Sequence, residues 1–120
     1  MRGGGIVGKS KLPGPIERRL LIERELSPAQ ALRYAEAYLA EGLDVDAVSF
    51  LVKADATDQL EALRTRAIEA GDGFLFRAVA SETGVPPTPE EWRALAGAAE
   101  RAGKQHYAAD ALRQAERWGS

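Results

Sequence analysis

The chain has 120 residues, 45% of them hydrophobic and 28% charged, enough for one domain with a core and typical of an ordinary globular protein. A formal net charge of −2 gives no general attraction to nucleic acid or anionic membranes, and the absence of cysteine excludes disulfides, thiolate metal sites and thiol catalysis. No apolar run approaches the roughly 20 residues of a membrane span, and no apolar stretch follows Arg2 to make a secretory signal, so a cytoplasmic protein is expected.

Residues 1–15 hold five glycines, two prolines, Lys9 and Lys11, and read as a flexible basic arm. With the first helix they carry a net +3 up to residue 27, on a body of net −5. Pro15 suits the first turn of a helix over 15–26, with Ile16, Leu20 and Leu21 facing inward and Arg18, Arg19 and Arg24 solvated. Ser27-Pro28-Ala29-Gln30 is a capping box for a second helix over 28–41, ended by Gly42. Asp44 is positioned to cap a third over 45–54, with Val48, Leu51 and Val52 apolar. Val48–Val52 has strand propensity, but the preceding acid and the flanking Ala47 and Ala54 favour a helix.

A fourth helix spans 57–70, on Leu60, Leu63, Ala67 and Ile68, and stops at Gly71. Asp72 can cap a fifth over 73–83, with Phe74, Leu75, Ala78 and Val79 apolar. Gly84-Val85-Pro86-Pro87 breaks the chain, and Thr88-Pro89-Glu90-Glu91 repeats the capping-box pattern. The sixth helix, 89–102, carries Trp92, Leu95, Ala96 and Ala99. After Gly103 a seventh, 105–118, carries Tyr107, Ala108, Ala111, Leu112 and Ala115. No segment alternates as a strand would, so the fold class is all-α, with about seven helices forming one domain over 16–120.

Gly42, Gly71 and Gly103 stand 29 and 32 residues apart, each closing one helix before another begins, which is the punctuation of stacked helical hairpins. Trp92, Leu95, Ala96, Gly103, Ala108, Leu112 and Ala115 stand at the spacing of a tetratricopeptide repeat, which residues 89–116 resemble well and 28–118 loosely. Around Gly42, Ala35, Tyr38, Ala47, Leu51 and Ala54 match, while Tyr34 replaces a Leu. Around Gly71, Leu63 fits, but Arg64, Phe76 and Thr83 occupy places that want small residues. The resemblance implies a peptide-binding surface lined by the first helix of each hairpin: Leu32, Glu36 and Leu39, then Glu61, Thr65 and Glu69, then Arg93, Gly97 and Arg101. Trp118 either packs on the last hairpin or offers an aromatic anchor, and Lys9 and Lys11 add arm contacts.

The expected function is therefore a non-enzymatic interaction module for a protein or peptide. The alternative is a self-associating structural subunit, since a short stack leaves apolar helix faces at its ends. No cofactor, metal or catalytic residue is expected. His106 is the lone histidine, where zinc wants three or four ligands. The pairs Arg19–Glu23 and Asp110–Arg113 have the spacing of surface salt bridges.

Gly3–Ser10 satisfies the pattern G-x-x-x-x-G-K-[ST], whose backbone N–H groups cradle phosphate at the join of a strand and a helix. Only Met1 and Arg2 precede it, and Lys11-Leu12-Pro13-Gly14-Pro15 follows, leaving room for neither element. Nucleotide binding is thus a third and disfavoured reading. Calorimetric titration with Mg-ATP is expected to show no micromolar binding; such binding, lost in Lys9→Ala, would overturn this.

Overall fold

The computed structural model describes residues 12–23 and 25–119, apart from the side chains of Glu23 and Trp118. The described residues form seven α-helices and no strand: α1 (Pro15–Glu23), α2 (Pro28–Ala40), α3 (Asp44–Lys53), α4 (Thr57–Ala70), α5 (Gly73–Thr83), α6 (Pro89–Arg101) and α7 (Gln105–Gly119). The chain divides into two compact units, Met1–Thr57 and Asp58–Ser120.

The helix boundaries follow local chemistry. Ser27 and Thr88 each form a complete capping box, with Gln30 and Glu91 returning a bond to the cap N–H. Asp72 caps α5 by accepting the Leu75 N–H at 3.1 Å. Asp44 does not cap α3: it is the first helical residue, and Leu43 holds the cap position without a side-chain bond. There Asp44 and Asp46 complement the positive end of the helix. Helix α1 stops at Glu23, short of the expected residue 26.

Four helix ends repeat one device. The residue after the cap takes positive φ, and the next N–H reaches a carbonyl five residues back: Leu43 to Tyr38, Ala56 to Leu51, Asp72 to Ala67 and Lys104 to Ala99. Three of these use the anticipated glycines; the fourth uses Asp55, at φ 56°. Asp tolerates the left-handed region better than most residues, so this turn lacked a glycine to announce it.

In unit 1, α2 and α3 form an antiparallel hairpin, with α1 packed on α3. Ala31, Ala35, Ala47, Val48 and Leu51 are buried, and the rings of Tyr34 and Tyr38 stack on Phe50 at centroid distances of 5.3 and 5.6 Å. The Tyr38 hydroxyl donates to the Pro13 carbonyl at 3.0 Å, tying the entering chain to α2. Burial pushes this phenol above its ordinary pKa, against the lowering influence of Arg18.

Helix α1 uses a different face from the one expected. Arg18 turns to Asp46 at 2.9 Å, while Ile16 and Leu20 face out, 77% and 55% exposed. Those two lie one turn apart, so committing Arg18 to α3 rotates both away together.

In unit 2, α4–α5 and α6–α7 are successive hairpins placed side by side. Arg64 of α4 meets Glu91 of α6, and Gly71 meets Ala99, at sequence offsets of 27 and 28. On the other layer, Arg77 bonds Asp110 and Gly73 approaches Tyr107, at offsets of 33 and 34. The near-constant offset within each layer means that α4 runs parallel to α6, and α5 to α7. Between the layers, Phe76 and Trp92 make an edge-to-face contact at 4.9 Å.

Several large apolar residues expected inside unit 2 lie outside. The inward face of α7 is Ala108, Ala111 and Ala115, so Leu112 falls on a flank and is 51% exposed. Phe76 takes the core place beside Trp92, leaving Phe74 to solvent. Tyr107, and Val52 in unit 1, are each just over one-third exposed.

Gly71 is the tightest point. Its φ is +66°, and a Cβ there would lie 2.4 Å from the Ala99 Cα and 2.5 Å from the Ala99 nitrogen. Gly103 shares the backbone conformation, but a Cβ there meets nothing within 4 Å. Arg64 forms a second lock, with its guanidinium bound to both Glu91 carboxylate oxygens at 2.8 Å and to the Val85 and Pro86 carbonyls at 3.2 Å, over the Phe76 ring. The apparent misfit of Arg64 at a small-residue place is thus the clamp on the α5–α6 loop.

Two outcomes follow, both readable by urea unfolding. Gly103→Ala costs about 1–2 kcal/mol for the left-handed backbone, whereas Gly71→Ala adds a clash with unyielding backbone and costs about 3–5 kcal/mol in all. The Arg64 bond holds the Glu91 carboxyl below its usual range, with the Thr88 N–H assisting and partial burial opposing. A depressed folded-state pKa contributes stability above the unfolded value that is lost as pH falls through the folded one. Glu91→Gln is therefore about 1–3 kcal/mol less stable than the parent at pH 7, with the gap closing below about pH 4.

Candidate partner-binding surface

The strip carried by α4 and α6 falls on one side of unit 2. With successive residues turned by about 100°, Arg64 and Gly71 face α6, and Glu61, Thr65 and Glu69 lie on the adjoining flank of α4. On α6, Glu91 and Ala98 face α4, and Arg93, Gly97 and Arg101 lie on the adjoining flank. Because the helices run parallel, both flanks open on the same face, opposite the α5–α7 layer. Glu61, Thr65, Glu69, Arg93 and Arg101 are exposed and Gly97 is half-buried.

The exposed flank of α4 thus carries acids and that of α6 carries bases. None of Glu61, Glu69, Arg93 and Arg101 has an ion pair or hydrogen bond to another described residue. Arg101 folds its guanidinium over Gly97, with Nη1 3.4 Å from where a Cβ would stand. Arg93 and Arg101 are eight residues apart, about 12 Å along the helix. The face offers charges of opposite sign on its two helices.

In unit 1 the corresponding residues divide by exposure: Glu36 is exposed, and Leu32 and Leu39 are half-buried. The concavity of α2 lies on its opposite flank, where Arg33, Tyr34, Ala37, Ala40 and Glu41 face Pro13 across a groove of about 510 Å³. Nothing in the spacing of the sequence singled out this groove, whose Pro13 wall depends on the long-range bond from Tyr38 to Pro13.

A second groove, of about 660 Å³, lies on the α5–α7 side of unit 2, between Arg77, Ser81, Pro86, Pro87, Trp92 and Gln114. The Arg77 guanidinium lies 5.1 Å from the centre of the Trp92 ring and is held there by Asp110. The expected surface salt bridge between Asp110 and Arg113 is also present, at 3.7 Å. Nothing local in the sequence signals the Arg77–Asp110 pair, whose members are 33 residues apart.

Lys9, Lys11 and Gly3–Ser10 lie outside the described residues, and the side chains of Trp118 and of Glu23, the expected partner of Arg19, are not described. His106 is exposed in the first turn of α7. Among the described residues no cluster of three or more His, Asp or Glu could hold a metal ion, and no helix is long and apolar enough to cross a membrane. Comparison with protein-family models, curated proteins and solved structures finds no match.

Proposed function

We propose that the chain is a non-enzymatic, tetratricopeptide-like interaction module, working in the cytoplasm, that presents the α4–α6 face to a partner protein or peptide. The observation that carries this reading is the uncommitted charge on that face: Glu61 and Glu69 on one helix, Arg93 and Arg101 on its parallel neighbour, exposed and unpaired with any described residue. Four charges on a rigid two-helix platform recognise a complementary charge pattern with little reorganisation.

The packing of the last hairpin supports the repeat resemblance. Trp92, Leu95, Ala96, Ala108 and Ala115 are buried at the matching places, and the offsets of 33 and 34 between α5 and α7 are those of a stacked repeat. Leu112 departs from the pattern by lying outside. In unit 1, Leu32, Glu36 and Leu39 would form a separate surface of the same kind, and Trp118, Lys9 and Lys11 would add contacts. Self-association is the second reading, favoured by the outward Ile16–Leu20 pair on α1.

Affinity capture from extract of the source cells, followed by reconstitution with the purified partner, tests this. The parent chain should bind a defined partner, and Arg93→Glu with Arg101→Glu should weaken binding at least tenfold with an unchanged circular dichroism spectrum. A partner indifferent to this double reversal would place binding elsewhere. No partner, or turnover of a small molecule, would remove the reading.

A further inference from the structure

The charges on the α2 groove of unit 1 are symmetrically placed. Arg33 and Glu41 stand four residues to either side of Ala37, both exposed, and neither is bonded to another described residue through its side chain. Each lies about 6 Å from Ala37 along the helix. Ala37 and Ala40 leave a hollow between these charges, and Tyr34 stands beside it, braced on the Phe50 ring at 5.3 Å.

We infer that this groove receives a second copy of the chain, α2 against α2, about a two-fold axis passing through Ala37. The axis sets the two helices antiparallel. Each Arg33 then faces Glu41 of the other copy, each Tyr34 faces Ala40, and the two Ala37 residues meet at the crossing. An isologous contact must be self-complementary, and here one operation satisfies both charges and matches a large side chain to a small one. Parallel alignment in register sets Arg33 against Arg33 and Glu41 against Glu41, so charge selects the antiparallel arrangement. The alanine at the axis permits close approach of the backbones.

A contact on one helix and the adjoining Pro13 wall is smaller than the roughly 800 Å² per partner of a stable standard interface. The dimer is therefore weak and dependent on concentration. It does not use the α4–α6 face, so Arg93→Glu with Arg101→Glu leaves it intact, and failure of either proposal is distinguishable from failure of the other.

Sedimentation velocity on the full chain over a wide concentration range tests this. The parent should pass from monomer to dimer as concentration rises. Arg33→Glu alone and Glu41→Arg alone should each be folded and monomeric, since each sets like charges against each other. An equimolar mixture of these two variants should dimerise. In the mixed pair the acid introduced by Arg33→Glu meets the base introduced by Glu41→Arg, and the unaltered Glu41 of one copy meets the unaltered Arg33 of the other. The chain has no cysteine, so Ala37→Cys places one thiol on the axis and should oxidise to a disulfide dimer, whereas Ala94→Cys on α6 should not.

A monomer at every concentration overturns the inference. So does a dimer that survives the single reversals, is not restored by mixing, or is lost in Leu20→Ser while indifferent to charge. A different protein seated in this groove and lost in Arg33→Glu, with no dimer of the parent, overturns it as well.

Discussion

The geometry of unit 2 depends on one close approach, the end of α4 against the backbone of α6. Gly71 supplies both a left-handed turn and the missing Cβ, and Ala98 and Ala99 supply the low surface it rests on. A helix end seated on a helix side without an intervening side chain leaves little room for sliding. It therefore sets the register in which Arg64 finds Glu91 and the exposed flanks of α4 and α6 open on one face.

Small residues and directional polar contacts have complementary roles. Alanines dominate the inward face of α7 and much of α6, which brings helices close but provides little shape to specify one arrangement. Specificity comes from a few directional contacts: the bidentate Arg64–Glu91 bond, the edge-to-face Phe76–Trp92 pair and the Arg77 guanidinium held by Asp110 over Trp92. In unit 1 the stacked Tyr34, Phe50 and Tyr38 rings and the bond to Pro13 serve similarly. The charged groups inside these contacts have structural partners, while those on the α4–α6 face and the α2 groove have none among the described residues. That contrast separates the charges consumed in the scaffold from those left uncommitted.

The helices themselves were legible because their signals are local. Capping boxes at Ser27 and Thr88 and the glycine stops at Gly42, Gly71 and Gly103 involve residues within one turn of each other, and each lies where its chemistry requires. The α4–α6 strip was readable through repeat spacing, which follows from hairpins of similar length. Facing directions were less legible. Ile16, Leu20, Phe74 and Leu112 satisfy a helical apolar pattern, yet their helices are rotated by contacts that periodicity cannot register, such as Arg18 with Asp46 and Phe76 with Trp92.

By itself, then, the order of residues determined an all-α chain, the number of its helices and nearly all their ends, since capping and backbone conformation are settled over three to five residues. Tertiary structure alone decided which side of each helix is covered, which charges are consumed in the scaffold and where the grooves lie. Arg64 and Arg93 are the same residue type on successive first helices, but one is locked beneath a loop and the other stands free. The difference arises from neighbours brought in from distant parts of the chain, and only their packing distinguishes a guanidinium that builds the fold from one left exposed and unpaired among the described residues.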